Sequence, residues 1–335
     1  MILISILMIA TSSMAILLNI VLIIVGVSLV LNGADWLTKG ASALARRMNI
    51  PEMVIGLTIV AAGTSAPELF VSLVSALKGT PDMAVGNVVG SNTMNCMLIV
   101  GVAAMVAPMV ISRSTVKKDI PFAVGASVLL MLLSLNNYLG RWDGIILLLG
   151  FASFMVYTLM QAKKGEATPV TDDSQQDADN TPSSKGMNPW LSALWVVAGL
   201  AMLVIGSNLF VDSASSVAYS LGISEGVVGL TVVAGGTSLP ELATSVVAAR
   251  KGQSAIAIGN VIGSNVFNIL MILGLTATIS PLAIEGITTL DMAVMLVSVA
   301  LVWFFSFTRY TVERWEGGLL VVGYLVYIWW LISSL

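Results

Sequence analysis

Ten apolar runs dominate this sequence of 335 residues: 14–37, 50–77, 84–107, 121–135, 144–160, 190–211, 226–249, 255–279, 292–308 and 317–335. Spanning a hydrocarbon core takes roughly 20 apolar residues in a helix, so each run is a candidate crossing. Composition agrees. The chain is 57% hydrophobic and 10% charged, whereas soluble domains carry about 25% charged residues. A water-soluble fold cannot bury that much apolar surface, so the bilayer is the solvent. The reading is an all-α membrane protein with ten transmembrane helices. Residues 1–13 are apolar but too short to span alone, and they lack the basic start of a cleaved signal peptide. They are expected either to extend the first helix outward or to be an over-read start before Met14.

Charge sets the threading. With ten crossings, one side receives Lys39, Arg46, Arg47, Arg113, Lys117, Lys118, Lys163, Lys164, Lys185, Arg250, Lys251, Arg309 and Arg314, and the other only Lys78 and Arg141. A split of 13 to 2 is a positive-inside signal. It places both termini outside, in a multi-pass plasma or inner membrane protein. The polar, acidic stretch 163–189 reads as a disordered cytoplasmic linker. It separates a first unit, 1–162, from a second, 190–335.

The chain is written twice. Residues 54–101 and 227–274 align without a gap at an offset of 173, with 27 of 48 positions identical. Each copy holds five helices. Five is odd, so the second enters from the opposite side, an inverted-topology repeat of the kind that builds many secondary transporters. The identities fall on residues that lipid contact does not ask for: Gly63/Gly236, Thr64/Thr237, Ser65/Ser238, Pro67/Pro240, Glu68/Glu241, Asn87/Asn260, Ser91/Ser264, Asn92/Asn265 and Asn95/Asn268.

The chemistry of these positions is that of hard oxygens. Pro67 and Pro240 remove a backbone donor and break the helix one turn back. That frees carbonyls near Ala61 and Ala234, tolerable at membrane depth only where they are buried or face a cavity. Thr64 and Glu68 lie four apart, on one helix face, as do Thr237 and Glu241. Ser91 and Asn95 share a face on the next helix, repeated by Ser264 and Asn268. Gly86, Gly90, Gly259 and Gly263 form small-xxx-small faces for close helix approach. The candidate cation ligands are therefore Glu68, Glu241, Thr64, Thr237, Ser65, Ser238, Ala61, Ala234, Ser91, Ser264, Asn95 and Asn268. The chain has one cysteine, Cys96, and no histidine. That disfavours zinc, copper and iron, while six to eight oxygens with one or two carboxylates suit Ca²⁺ and neutral oxygens also suit Na⁺. For Asn87, Asn92, Asn260 and Asn265 a role as interhelical glue is equally open. A mid-membrane acid is rare and usually functional. For acids near helix ends, among them Asp35, Asp119, Asp212, Glu285 and Asp291, interfacial solvation is the default.

At "GTSAPE" (63–68), "GTSLPE" (236–241), "GNVVGSNTMN" (86–95) and "GNVIGSNVFN" (259–268) the chain resembles the sodium/calcium exchanger family, of prokaryotic type, within the calcium:cation antiporter superfamily. The resemblance implies a secondary antiporter that exchanges Na⁺ for Ca²⁺ by alternating access and extrudes Ca²⁺. It implies a first and sixth helix that slide against the rest, and net charge movement when three Na⁺ exchange for one Ca²⁺. Certain members carry Asp where this chain has Asn268, so two carboxylates, not three, are expected here. A Ca²⁺/H⁺ antiporter, in which a buried Glu carries a proton, and a cation channel are the alternatives. An enzyme is not expected, since no nucleophile–base pairing is visible. No cofactor is expected: Ca²⁺ and Na⁺ are cargo, the lipid bilayer is the partner, and neither nucleic acid nor a protein partner is implied.

Overall fold

The structure, a computed structural model, describes residues 2–164, 188–221, 234–307 and 309–333, with the backbone alone for 2–13, 163–164, 234 and 332. It is mostly helical. The main helices are α1 (Ile2–Arg47), α2 (Glu52–Thr64), α3 (Ala66–Leu77), α4 (Pro81–Val106), α5 (Ile120–Leu133), α6 (Arg141–Lys164), α7 (Pro189–Ser220), α8 (Leu239–Arg250), α9 (Ser254–Ile279), α10 (Thr289–Phe307) and α11 (Arg314–Ser333). Among the described residues six helices are long and apolar enough to cross a membrane: α1 from Met14, α4, α6 to Ala162, α7, α9 and α10; the pair α2 and α3, bent by 46°, makes a seventh. At 14 and 12 residues, α5 and α8 are too short to meet that test alone.

Helix ends depart from the apolar runs. The run 14–37 lies inside a helix of 46 residues that reaches Arg47, and the run 190–211 continues to Ser220. Polar residues at these ends continue the helix without continuing the apolar signal. Asp35, expected to be simply solvated, bonds Lys39 of its own helix at 2.6 Å and Lys251 beyond α8 at 2.7 Å. Most of the linker 163–189 and the first part of the run 226–249 lie outside the described residues.

The two helices that carry the glycine–asparagine motifs form the centre. Their most apolar windows are 78% (α4) and 89% (α9) buried, against 11% for α1 and 17% for α6. Glycines set the closest approaches. A Cβ on Gly26 would stand 2.8 Å from the Gly206 carbonyl, and one on Gly33 would stand 2.8 Å from the Gly199 carbonyl, so α1 and α7 touch backbone to backbone. Likewise Gly101 faces Gly317, and Gly144 faces Gly274. Gly259 and Gly263 press against Gly56 and Leu57 of α2. The segment that would repeat this contact for Gly86 and Gly90, 226–233, lies outside the described residues.

Two short antiparallel pairings tie loops together. Strand β1 (Met109–Val110) pairs with β4 (Thr311–Val312), and β2 (Tyr138–Leu139) pairs with β3 (Leu282–Ala283). Met109 and Leu282 differ by 173 in number, as do Leu139 and Val312. The spacing of the repeat thus extends well beyond 54–101.

Candidate functional site

Each proline break makes a corner. Ser65 leaves helical geometry at φ −82°, ψ 7°, and Ser238 at φ −91°, ψ 8°. Pro67 and Pro240 then start α3 and α8, with Glu68 and Glu241 in the first turns. A carboxylate at a helix N-terminus sits at the positive end of the helix dipole. A proline also strips the carbonyl four residues back of its partner. For Pro240 that carbonyl belongs to Gly236, and it accepts the hydroxyl of Ser207 from α7. The position matching Ser207 in the first copy is Ala34. The Ala61 carbonyl accepts the Ser65 N–H at 3.0 Å, and the Thr64 hydroxyl lies 3.3 Å from it.

The corners cross. The Ser65 hydroxyl donates to Glu241 Oε1 at 3.1 Å, and the Ser238 hydroxyl donates to Glu68 Oε1 at 3.2 Å. Ser238 also lies 3.4 Å from the Ser91 hydroxyl, and Ser264 donates to Glu241 Oε1 at 3.5 Å. Glu68, Glu241, Ser65, Ser238, Ser91, Ser264, Asn95 and Asn268 are all buried. Thr64 is buried but turns to Asn260 Oδ1, at 3.0 Å. Thr237 is half-buried, and Ala234 opens the turn Ala234–Thr237.

Asparagines outside the expected ligand set hold this cluster in place. Asn87 donates to the Glu68 carbonyl and to Ser72; Asn260 does the same to the Glu241 carbonyl and Ser245. These bonds clamp the first turns of α3 and α8 to the central helices. Asn268 Nδ2 donates to Asn92 Oδ1, and Asn95 Nδ2 to Asn265 Oδ1, both at 3.0 Å. With their amide nitrogens engaged, Asn95 and Asn268 turn their carbonyl oxygens the other way. Asn92 and Asn265 are oriented in turn by the Asn265 carbonyl and by Cys96 Sγ. Identity between the copies is the signal that could have assigned all four a role. Ser207 has no such counterpart and was invisible to that comparison. The backbone widens to π-helix at Asn95–Ile99 and Phe267–Leu273, starting at Asn95 and just before Asn268; such insertions in α-helices often mark functional positions.

Four oxygens in this cluster have no hydrogen-bond partner: Glu68 Oε2, Glu241 Oε2, Asn95 Oδ1 and Asn268 Oδ1. They are two repeat-related pairs. Buried polar atoms are normally satisfied, and an unpaired buried carboxylate costs several kcal/mol. Beside them the serine hydroxyls, having donated, keep lone pairs to offer. Two carboxylates, two amide oxygens and several hydroxyls make a donor set for a hard cation such as Ca²⁺ or Na⁺.

Residues 18–160 and 191–333 each match the family described as sodium/calcium exchanger protein, again at the offset of 173. The chain is 36% identical over 320 residues to the putative antiporter CaxA of Alkalimonas amylolytica, covering 94% of this chain and 98% of the relative. It is 36% identical over 310 residues to the inner membrane protein YrbG of Escherichia coli (strain K12), covering 92% and 94%. It is 32% identical over 343 residues to the sodium/calcium exchanger MaX1 of Methanosarcina acetivorans, covering 92% and 97%. A solved structure of the sodium-calcium exchanger NCX_Mj, soaked with zero Na⁺ and Ca²⁺, superimposes with a TM-score of 0.81 at 30% identity, covering 94% of this chain and 99% of that one.

Proposed function

The chain belongs to the sodium/calcium exchanger family, and from that premise we propose that it exchanges Na⁺ for Ca²⁺ across the membrane at the cluster around Glu68 and Glu241. The observation that carries this reading is the set of four buried, unpartnered oxygens on Glu68, Glu241, Asn95 and Asn268. One Ca²⁺ among them balances two negative charges. Several Na⁺ on the same oxygens balance them as well, so the two cargoes compete for one site. With neither bound, two bare carboxylates in a low-dielectric interior oppose movement of the site through the bilayer. Exchange is then obligatory, because only a loaded carrier crosses.

The cross-repeat bonds give the movement its coupling. Each carboxylate is tied to the corner serine of the other copy, so shifting either corner alters both halves of the site. Alternating access follows from ten helices in two inverted repeats of five, 1–162 and 190–335. Supporting that arrangement are the offset of 173 shared by the motifs and the strand pairs, and contacts grouped at two ends. One end joins β1 to β4 and Asp35 to Lys251. The other joins β2 to β3, and Asp82 to the backbone of Glu285 and Gly286. The excess of basic residues makes the first end, with the linker 163–189, cytoplasmic and leaves both termini outside. Ca²⁺ is extruded, drawn out as Na⁺ enters. The protein is a multi-pass inner membrane transporter rather than an enzyme, with Na⁺ and Ca²⁺ as substrates and no resident cofactor. Calcium flux in sealed vesicles, with and without a Na⁺ gradient, tests the function: flux indifferent to the gradient would contradict it.

A further inference from the structure

Lys251 ends α8, the helix whose first turn carries Glu241. Its ammonium crosses to α1, where it bonds Asp35 Oδ1 at 2.7 Å, the Asp35 carbonyl at 3.2 Å and the Thr38 hydroxyl at 2.7 Å. Thr38 is buried. At the offset of 173, Lys251 matches Lys78, which ends α3, the helix of Glu68. Asp35, however, matches Asn208, and Thr38 matches Val211. The second arrangement keeps the lysine and lacks both partners. Lys39, which bonds Asp35 and not Lys251, matches Asp212. Lys78 and Asp212 are exposed, and neither makes an ion pair among the described residues.

The helices show the same asymmetry. α1 and α7 pack on α8, and neither packs comparably on α3. Because α1 and α7 touch backbone to backbone at Gly26/Gly206 and Gly33/Gly199, they shift as one body. Their apolar fit to α8 is incomplete: Val27, Leu31, Phe210, Leu242 and Val247 line a hollow of about 270 Å³ between the three helices. We propose that Asp35, Thr38 and Lys251 form a one-sided latch, which holds the α1–α7 pair on α8 and keeps the Lys251 end of the molecule closed, with no counterpart at the Lys78 end. This rests on the alternating access proposed above, in which the two copies exchange roles. In the opposite state α7 sits on α3, and Lys78 meets an amide and an isopropyl group where Lys251 meets a carboxylate and a hydroxyl. The two states therefore differ in stability, although the carboxylates at the centre are repeat-related. The carrier rests closed at the end assigned to the cytoplasm and open at the other.

The experiment measures distances between two spin labels by pulsed electron paramagnetic resonance. The full chain is placed in phospholipid vesicles with saturating Ca²⁺, a load under which the carrier crosses. One label is at Trp190→Cys on α7, and the other at Lys117→Cys, ahead of α5; both positions are exposed, and Cys96 is buried. The wild type should give one main distance, and Asp35→Asn a second. Bonds to a charged group shift an equilibrium by about tenfold or more, and partial exposure reduces that. The ratio of the second population to the first should thus rise roughly three- to tenfold. Lys251→Gln should give the same shift, and the double variant no more than either single one, since the two residues act through one contact. Asp35 and Lys251 are 32% and 26% exposed, so these substitutions leave the fold intact. Lys39→Met removes the other ion pair of Asp35 but spares the latch, and should match the wild type. Distances unshifted in Asp35→Asn and Lys251→Gln, or shifted equally in Lys39→Met, overturn the proposal. Na⁺-driven Ca²⁺ uptake by the same vesicles keeps the two readings apart. Uptake with unshifted distances removes the latch alone. Wild-type vesicles without uptake contradict the exchange function, and the distances still decide the latch.

Discussion

Ser65 donates its hydroxyl to the Glu241 carboxylate at 3.1 Å, across 176 positions of sequence. The same bond, with the copies exchanged, joins Ser238 to Glu68 at 3.2 Å. Neither copy completes its own acid's environment. The cluster forms only where the two meet, which fits the identity of the corner residues in the duplicated segments.

The orienting asparagines give the first prediction. Asn92→Ala removes the acceptor that holds the Asn268 amide, without touching a proposed ligand. Loss of such supporting partners typically costs about 10–100-fold in metal affinity. The half-saturating Ca²⁺ concentration for transport should rise by roughly that factor, with a smaller change in maximal rate. An unchanged Ca²⁺ dependence would mean that Asn268 is oriented by something else.

Ser207→Ala tests the cap on the second proline break. The Gly236 carbonyl would lose the hydroxyl it accepts, and an orphaned buried acceptor costs roughly 1–3 kcal/mol. Thermal unfolding in detergent should show a lower melting temperature. Equal stability of Ser207→Ala and wild type would remove Ser207 from the account.

Asn268→Asp would add a third carboxylate to a cluster with two. One Ca²⁺ balances two negative charges, and a proton can balance the third. Protons should therefore compete with Ca²⁺ more strongly in the variant. Its Na⁺-dependent Ca²⁺ uptake should fall as pH is lowered through a range where wild-type uptake holds. Superimposable pH profiles, with the variant correctly inserted, would place residue 268 outside the site.

What the sequence made legible was whatever is local or duplicated. Pro67 and Pro240 mark the corners, the spacing puts an acid one turn from a threonine, and identity between copies picks out the polar positions. Pairing across the copies was not legible, because the spacing of Ser65 and Glu68 says nothing of Ser238 and Glu241. Nor were the π-helical stretches at Asn95–Ile99 and Phe267–Leu273. In helices apolar on all sides, hydrophobic periodicity carries no phase that an inserted residue could disturb. Asp119 misled for a related reason. Its place near the end of an apolar run pointed to water, while the walls that bury it come from α2 and α6, distant in sequence.

The most direct test loads sealed vesicles containing the wild type, Glu68→Gln or Glu241→Gln with Na⁺ and follows Ca²⁺ uptake on dilution into Na⁺-free medium. Removing one carboxylate leaves a divalent ion under-balanced in a buried site, a penalty on the order of 3–5 kcal/mol, or at least about 100-fold. The account predicts rapid gradient-dependent uptake by the wild type and none measurable by either variant, though both insert and fold. Uptake near the wild-type rate in either variant would contradict it.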